Sequence, residues 1–363
     1  MTVPAYRVMR TRGSSVMLRP ESRERLEEVD SVVFDCDGVL VDARKSYDVV
    51  ILKTAEEMIE GFSGVMLPLM RAGGELMLNI RATGGFNDDW DTTYAIAIFG
   101  AASLGPSEQG KMLGPGRTGR TLSRLRSLVR SFAAEKRLEG RASVDRFLNG
   151  TSSKSAKIDE MRQYLDSPTD AIHSRMTRRF DEMYYGESLF RRIYGTSPTG
   201  KSGTGLIEKE RVLITGIELE RLQRILGSKR MAIATGRPKI AVKHTLGRLL
   251  SFFDEDASVF IGDMDLNPEL GQELSGFRKP SGASLTRASK MLSSKTLLYL
   301  GDSAEDRLMV EDARRTQDGI YFGGVYGVSF SQRIQADYFR ESGADMVMRR
   351  AGSTPDILER LRR

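Results

Sequence analysis

The chain has 363 residues and a formal net charge of +6, and its balance of 29% charged to 40% hydrophobic residues excludes a chain disordered throughout. At about 100–200 residues per domain, the length suggests two or three domains. One cysteine excludes an intrachain disulfide or a multi-cysteine metal cluster, two histidines argue against a histidine-rich zinc site, and no apolar run nears the roughly 20 residues that cross a bilayer.

Residues 1–28 are polar, basic and without clear periodicity, and read as a loose extension. The first 30 residues hold no compact hydrophobic segment of the kind that directs secretion, so a cytoplasmic location without a membrane partner is expected. Val32, Val33 and Phe34 then form a short apolar run ending in Asp35, with Asp37-Gly38 as a turn signal. This predicts a buried strand whose carboxyl end carries acidic residues. From Lys45 the period changes. Leu52, Ala55, Ile59 and Phe62 recur at helical spacing with Glu56, Glu57 and Glu60 between them, and helical patterning continues to residue 225 with polar or glycine-rich breaks. Within it, Lys111, Arg117, Arg120, Arg124, Arg126, Arg130, Lys136, Arg137 and Arg141 face only Glu135 and Glu139. That stretch reads as a solvated helix face. It lacks interleaved aromatics and a binding module, so no nucleic-acid partner is expected.

The tail has a different grammar. Short apolar runs at 231–234, 258–261, 296–300, 320–325 and 345–348 alternate with helical patterns at 239–253, 284–292 and 306–315. Such alternation predicts parallel β-α-β units, hence an α/β fold with a doubly wound parallel sheet. The early strand near residue 32 has no strand neighbour until residue 231, and the simplest solution is that it joins the later sheet. The expected domains are then a basic N-terminal extension at 1–28, a core at 29–42 and 206–363, and an inserted α-helical domain at 43–205.

Ligands of open parallel sheets bind beyond the carboxyl ends of the strands. The first predicted strand ends in Asp35-Cys36-Asp37-Gly38-Val39 and the second in Thr235-Gly236-Arg237-Pro238. Lys279-Pro280 lies after the third, and the fourth ends in Gly301-Asp302-Ser303-Ala304-Glu305-Asp306. Carboxylates, a hydroxyl and a lysine on one edge are the inventory for magnesium-assisted phosphoryl transfer through an aspartate.

In these four ordered segments the sequence resembles the haloacid dehalogenase superfamily of hydrolases, over roughly residues 30–42 and 207–350. The core resembles the phosphoglycolate-phosphatase type, and the insertion resembles an enlarged helical cap of subfamily I. The resemblance implies a Rossmann-like core in which Asp35 attacks phosphorus to form an aspartyl-phosphate. Asp37 would protonate the leaving alkoxide and later activate water. Thr235, Gly236 and Lys279 would bind the phosphoryl oxygens. Mg²⁺ would be held by Asp35, the Asp37 backbone carbonyl and Asp302, with Asp306 or Ser303 in or near its shell. An acid at position 37 favours a phosphatase, or alternatively a phosphomutase, over a dehalogenase, since a departing halide needs no proton. The expected substrate is a small phosphorylated metabolite, and a monomer or homodimer is expected.

The segment from Gly84 to Asp91 resembles a cap element, with Arg81 and Asn87 as expected substrate contacts and Trp90 as an anchor. Cys36 reads as an inert buried thiol. Asp263 and Asp265 read as turn residues, and His173 and His244 as structural. One motif competes. Gly195-Thr196-Ser197-Pro198-Thr199-Gly200-Lys201-Ser202 matches the P-loop pattern of ATP-dependent enzymes. It follows a polar helical pattern instead of an apolar strand, and Gly203-Thr204-Gly205 stands where a helix should begin, so a linker is expected.

Overall fold

The strand around Val32 is built as the sequence predicts and is flanked on both sides. The computed structural model describes residues 5–11, 14–83, 85–86, 88–105, 108, 113–135, 140–150, 156–167, 173–200, 203–329 and 331–363. The strands are β1 (Arg7–Thr11), β2 (Ser14–Leu18), β3 (Ser31–Phe34), β4 (Val41–Asp42), β5 (Arg211–Val212), β6 (Met231–Thr235), β7 (Val259–Phe260), β8 (Leu297–Gly301), β9 (Ile320–Val325) and β10 (Met346–Met348). Eight of them form one sheet in the order β1-β2-β10-β9-β8-β3-β6-β7. The six strands from β10 to β7 pair in parallel, with β3 between β8 and β6 in the register Val32↔Leu298 and Val32↔Met231.

Strands buried on both faces need apolar side chains at every position, and β3 (SVVF), β6 (MAIAT) and β8 (LLYLG) are buried throughout. Alternation divides them between two cores. Val32, Phe34, Ile233, Leu298 and Leu300 pack on one face, and Val33, Ala232, Ala234, Leu297 and Tyr299 on the other. The intervening helices include Lys239–Leu246, Ala283–Met291 and Ala304–Arg314.

The N-terminal segment corrects the sequence reading. It is no loose extension, because β1 and β2 form an antiparallel hairpin whose second strand pairs with β10 (Leu18↔Met346) and widens the parallel sheet into a mixed one. The signal was thin: Val16 and Leu18 of β2 are buried between less buried neighbours, and β1 sits at the edge with Val8 exposed. A two-residue alternation among arginines and serines does not stand out from a coil.

The chain divides into two compact units, Met1–Ala43 with Glu210–Arg363, and Arg44–Lys209. At the root of the insertion, β4 and β5 pair antiparallel (Val41↔Val212, Asp42↔Arg211) and clamp the outgoing chain to the returning one. The second unit is helical: Tyr47–Ser63, Gly73–Arg81, Asp89–Ser103, Pro115–Ala134, Gly140–Gly150, Ala156–Asp166 and Arg175–Tyr194. Its central helix, Asp89–Ser103, is buried on all sides from Thr92 to Gly100. Gly100 lets it approach Tyr47–Ser63 closely, since a Cβ there would lie 2.3 Å from Ile59 Cδ1. Among the described residues no helix is long and apolar enough to cross a membrane.

Candidate active site

β3 delivers Asp35 to the carboxyl edge of the sheet, where its backbone N–H continues the ladder by donating to Leu300 O at 2.8 Å. The chain then turns tightly: the Cys36 carbonyl accepts from Leu40 and Val41 at 2.8 and 2.9 Å, and Gly38 N–H donates to Val41 O at 2.8 Å. Gly38 has φ +71°, and a Cβ on it would lie 1.8 Å from Asp302 Oδ2. Glycine is therefore required on two counts, backbone conformation and the direct approach of the Asp302 carboxylate. Cys36 is buried, and burial pushes its thiol well above the usual range, as suits an inert side chain.

β8 supplies the other half. Ser303 caps the helix Ala304–Arg314 and forms a reciprocal capping box with Asp306. Asp306 is fully buried, and one carboxylate oxygen accepts from Asp302 N, Ser303 N and Ser303 Oγ at 3.0, 2.9 and 2.7 Å. Its second oxygen accepts from Tyr299 Oη at 2.7 Å and Lys279 Nζ at 2.6 Å. Lys279 Nζ also lies 3.0 Å from Asp35 Oδ1. One ammonium thus bridges the two carboxylates.

Carboxylate oxygens of Asp35, Asp302 and Asp306 all lie within 4.8 Å of one another, and Lys279 pairs with Asp35 and Asp306. Burial raises the Asp306 carboxyl, but Lys279 and the Ser303 hydrogen bonds outweigh it and hold the group below the usual range. The other two are only partly compensated. Burial, opposed by Lys279 and reinforced by Asp306 and Asp37, pushes Asp35 up to about 7. Burial and the charges of Asp306 and Asp35 push Asp302 well above the ordinary carboxylate value. A donor set of hard oxygens short of positive charge fits a hard divalent cation such as Mg²⁺, and Asp35 and Asp302 are the carboxylates with capacity to spare. Asp306 already accepts five hydrogen bonds.

The remaining residues of the sequence reading fall as follows. Thr235 is buried at the end of β6, and its hydroxyl accepts from Arg237 N at 3.2 Å. Gly236 follows in a position where a Cβ would meet nothing within 4 Å. The Asp37 side chain pairs with Arg237. Asp263 and Asp265, read as turn residues, instead lie in a short helix, Asp263–Leu266, and are tied to Lys239 N and Arg278 at 2.7 and 2.8 Å. In the helical unit, Arg81 is held by Asp48 and Asp89 at 3.0 and 3.1 Å, while Asn87 lies outside the described residues. Trp90 Nε1 donates to buried Asp181 at 3.4 Å, and His173 Nε2 lies 3.5 Å from Asp181. On the helix Pro115–Ala134, Arg124 pairs with Glu108 and Arg130 with Glu75, while Arg117 and Arg120 are exposed.

The P-loop-like segment follows the helix Arg175–Tyr194, where a phosphate-binding loop would follow a strand. The amides of Thr199 and Gly200 donate to the buried Glu182 carboxylate at 2.7 and 3.3 Å, so an internal acid holds groups that such a loop offers to phosphate. Lys201 and Ser202 lie outside the described residues. Three participants in the core network carried no expected role: Tyr299, which orients Asp306, and Arg237 with Glu210. The signal for Arg237 was its place directly after Thr235-Gly236, a cation delivered to an edge already crowded with acids.

The sheet order makes this a Rossmann-like α/β fold, and the segments in which the sequence resembles the haloacid dehalogenase superfamily are those described above. The chain resembles the solved phosphatase Tt82 from Thermococcus thioreducens at 23% identity, over 81% of this chain and 92% of that one, with a TM-score of 0.50. It also resembles a Northeast Structural Genomics Consortium target at 17% identity, over 92% of this chain and 99% of that one, with a TM-score of 0.54. A conserved haloacid dehalogenase-like protein of unknown function from Agrobacterium tumefaciens matches at 14% identity, over 92% and 100% of the two chains, with a TM-score of 0.40. No protein-family model matches the chain, and no curated protein matches it in sequence.

Proposed function

We propose that the protein is a phosphatase that hydrolyses a small phosphorylated metabolite through an aspartyl-phosphate on Asp35. The observation that carries this reading is buried Asp35 with half-buried Asp302, short of positive charge, beside Lys279 and two residues from a second carboxylate at Asp37. A fold shared with a protein named as a phosphatase supports it.

In the first half-reaction an Asp35 oxygen attacks phosphorus and the bond from phosphorus to the leaving alkoxide breaks. Asp37 gives that oxygen its proton. In the second half-reaction Asp37, now ionised, takes a proton from water as the water attacks the acyl-phosphate, releasing phosphate and restoring Asp35. Lys279 and the Thr235 hydroxyl hold the phosphoryl oxygens as charge develops on them. Asp35 and Asp302 would hold Mg²⁺, which would supply the positive charge that favours an ionised, nucleophilic Asp35 at neutral pH. The helical unit, inserted between the first and second motifs, is read as a subfamily I cap.

Phosphate release from a panel of phosphorylated metabolites with Mg²⁺ tests the reading. At least one compound is turned over, and Asp35→Asn lowers its rate by at least about 10³-fold. A panel without turnover, or a variant as fast as the parent, rejects it.

A further inference from the structure

Arg237 is the most deeply buried cation at the sheet edge, with 2% of its side chain exposed. One edge of its guanidinium faces Glu210, with Nη1 and Nη2 donating to the two carboxylate oxygens at 2.8 and 2.9 Å. Glu210 is itself buried and accepts from Thr245 Oγ1 at 2.7 Å. This fork is already neutral and bidentate, and it satisfies the charge of a buried arginine. The other edge of the same guanidinium reaches Asp37: Nε lies 2.9 Å from Oδ2 and 3.1 Å from Oδ1, and Nη2 lies 2.5 Å from Oδ1.

The second pairing is out of proportion to any structural need. Asp37 is 40% exposed, and an ion pair to a carboxylate so open to water adds little stability. What the fork does add is geometry. An aspartate in the turn after β3 could rotate about its side-chain torsions, whereas a planar fork donating to both oxygens fixes the carboxylate plane and its distance from Asp35. A proton donor displaced by about 1 Å can lose about 10²-fold in rate.

We propose that Arg237 is a positioning residue for Asp37, with Glu210 and Thr245 setting the plane of its guanidinium. In this role Arg237 acts on the reaction through the acid. The proposal rests on the phosphatase reading, and it makes a prediction that reading does not. Loss of Arg237 should matter in proportion to the proton that the leaving group needs.

Single-turnover release of the leaving group, with Mg²⁺, from two probes of similar size reads this directly. Nitrophenolate leaves p-nitrophenyl phosphate with little need of a proton, whereas the leaving group of phenyl phosphate is a much stronger base. Arg237→Ala slows release from phenyl phosphate at least about tenfold more than release from p-nitrophenyl phosphate. Arg237→Lys, which keeps the charge but loses the fork, gives an intermediate bias, and Thr245→Val a smaller one in the same direction. Should Arg237→Ala not fold, the lysine and valine variants carry the test. Equal slowing of both probes, or of neither, overturns the positioning role. Asp35→Asn is run alongside. If it leaves both rates at the parental level, or if the parent releases neither product, the phosphatase reading beneath the proposal fails instead.

Discussion

The two units of the chain bury acidic side chains in opposite ways. In the helical unit Glu182 is wholly buried, yet its carboxylate accepts from Arg178 Nε, Thr199 N and Thr199 Oγ1 at 3.1, 2.7 and 2.8 Å. Burial alone would raise it, but the Thr199, Gly200 and Arg178 hydrogen bonds hold it below the usual range. At the edge of the sheet, Asp35 and Asp302 are raised and left short of cations. The lesson is one of function from energetics. A buried acid whose charge is met from within fastens a loop, and a cluster of acids whose charge is not met is poised for something that comes from outside.

Lys279 is where that contrast is sharpest, because one ammonium serves both the settled carboxylate and the unsettled one. Lys279→Met should reduce turnover by about 10²–10³-fold, the range for losing one preorganised charge in a site of this kind. Steady-state kinetics on a compound found in the panel checks it, and a loss under twofold would break the distinction between the two kinds of acid.

The next effect is on stability. Asp35 binds its proton more tightly folded than unfolded, its folded value being raised to about 7. The metal-free folded state therefore enjoys that contribution below about pH 4, the unfolded value, and loses it as pH rises towards 7. On the proposed reading Mg²⁺ would bind the ionised carboxylates, so the rise in Tm on adding it should be small at pH 5 and several degrees at pH 7. Thermal melts with Mg²⁺ and with a chelator check this, and an increment that falls with pH would contradict it.

The smallest effect belongs to the helical unit. Lys201→Ala, which removes the lysine of the P-loop-like string, should leave turnover within about twofold of the parent. The same kinetic assay reads it, and a complete loss would turn the comparison around, making the loop held by Glu182 the working site.

The core was legible because its chemistry and its architecture share the same short segments. Each parallel strand announces itself as an unbroken apolar run, and each ends in the polar residues that the sheet then gathers at one edge. The hairpin β1–β2 was not legible, since one-sided burial of Val16 and Leu18 leaves a two-residue signal among arginines and serines. The central helix of the insertion was legible only as part of a broadly helical stretch. A helix buried on every side from Thr92 to Gly100 loses the periodicity that marks an amphipathic one, and its apolar stretch stands out only as an isolated run. Arg237 and Glu210 show a third limit. They stand 27 positions apart, and Arg237 joins Glu210 to Asp37 only through the packing of three chain segments, which no local pattern encodes.

The account turns on whether Asp35 itself carries phosphorus during turnover. Acid-quenching the enzyme with ³²P-labelled p-nitrophenyl phosphate and Mg²⁺, followed by proteolysis and peptide sequencing, answers this. The account predicts base-labile label on the peptide containing Asp35 and none in Asp35→Asn. Label on a different peptide, or hydrolysis that proceeds undiminished in Asp35→Asn, would contradict it.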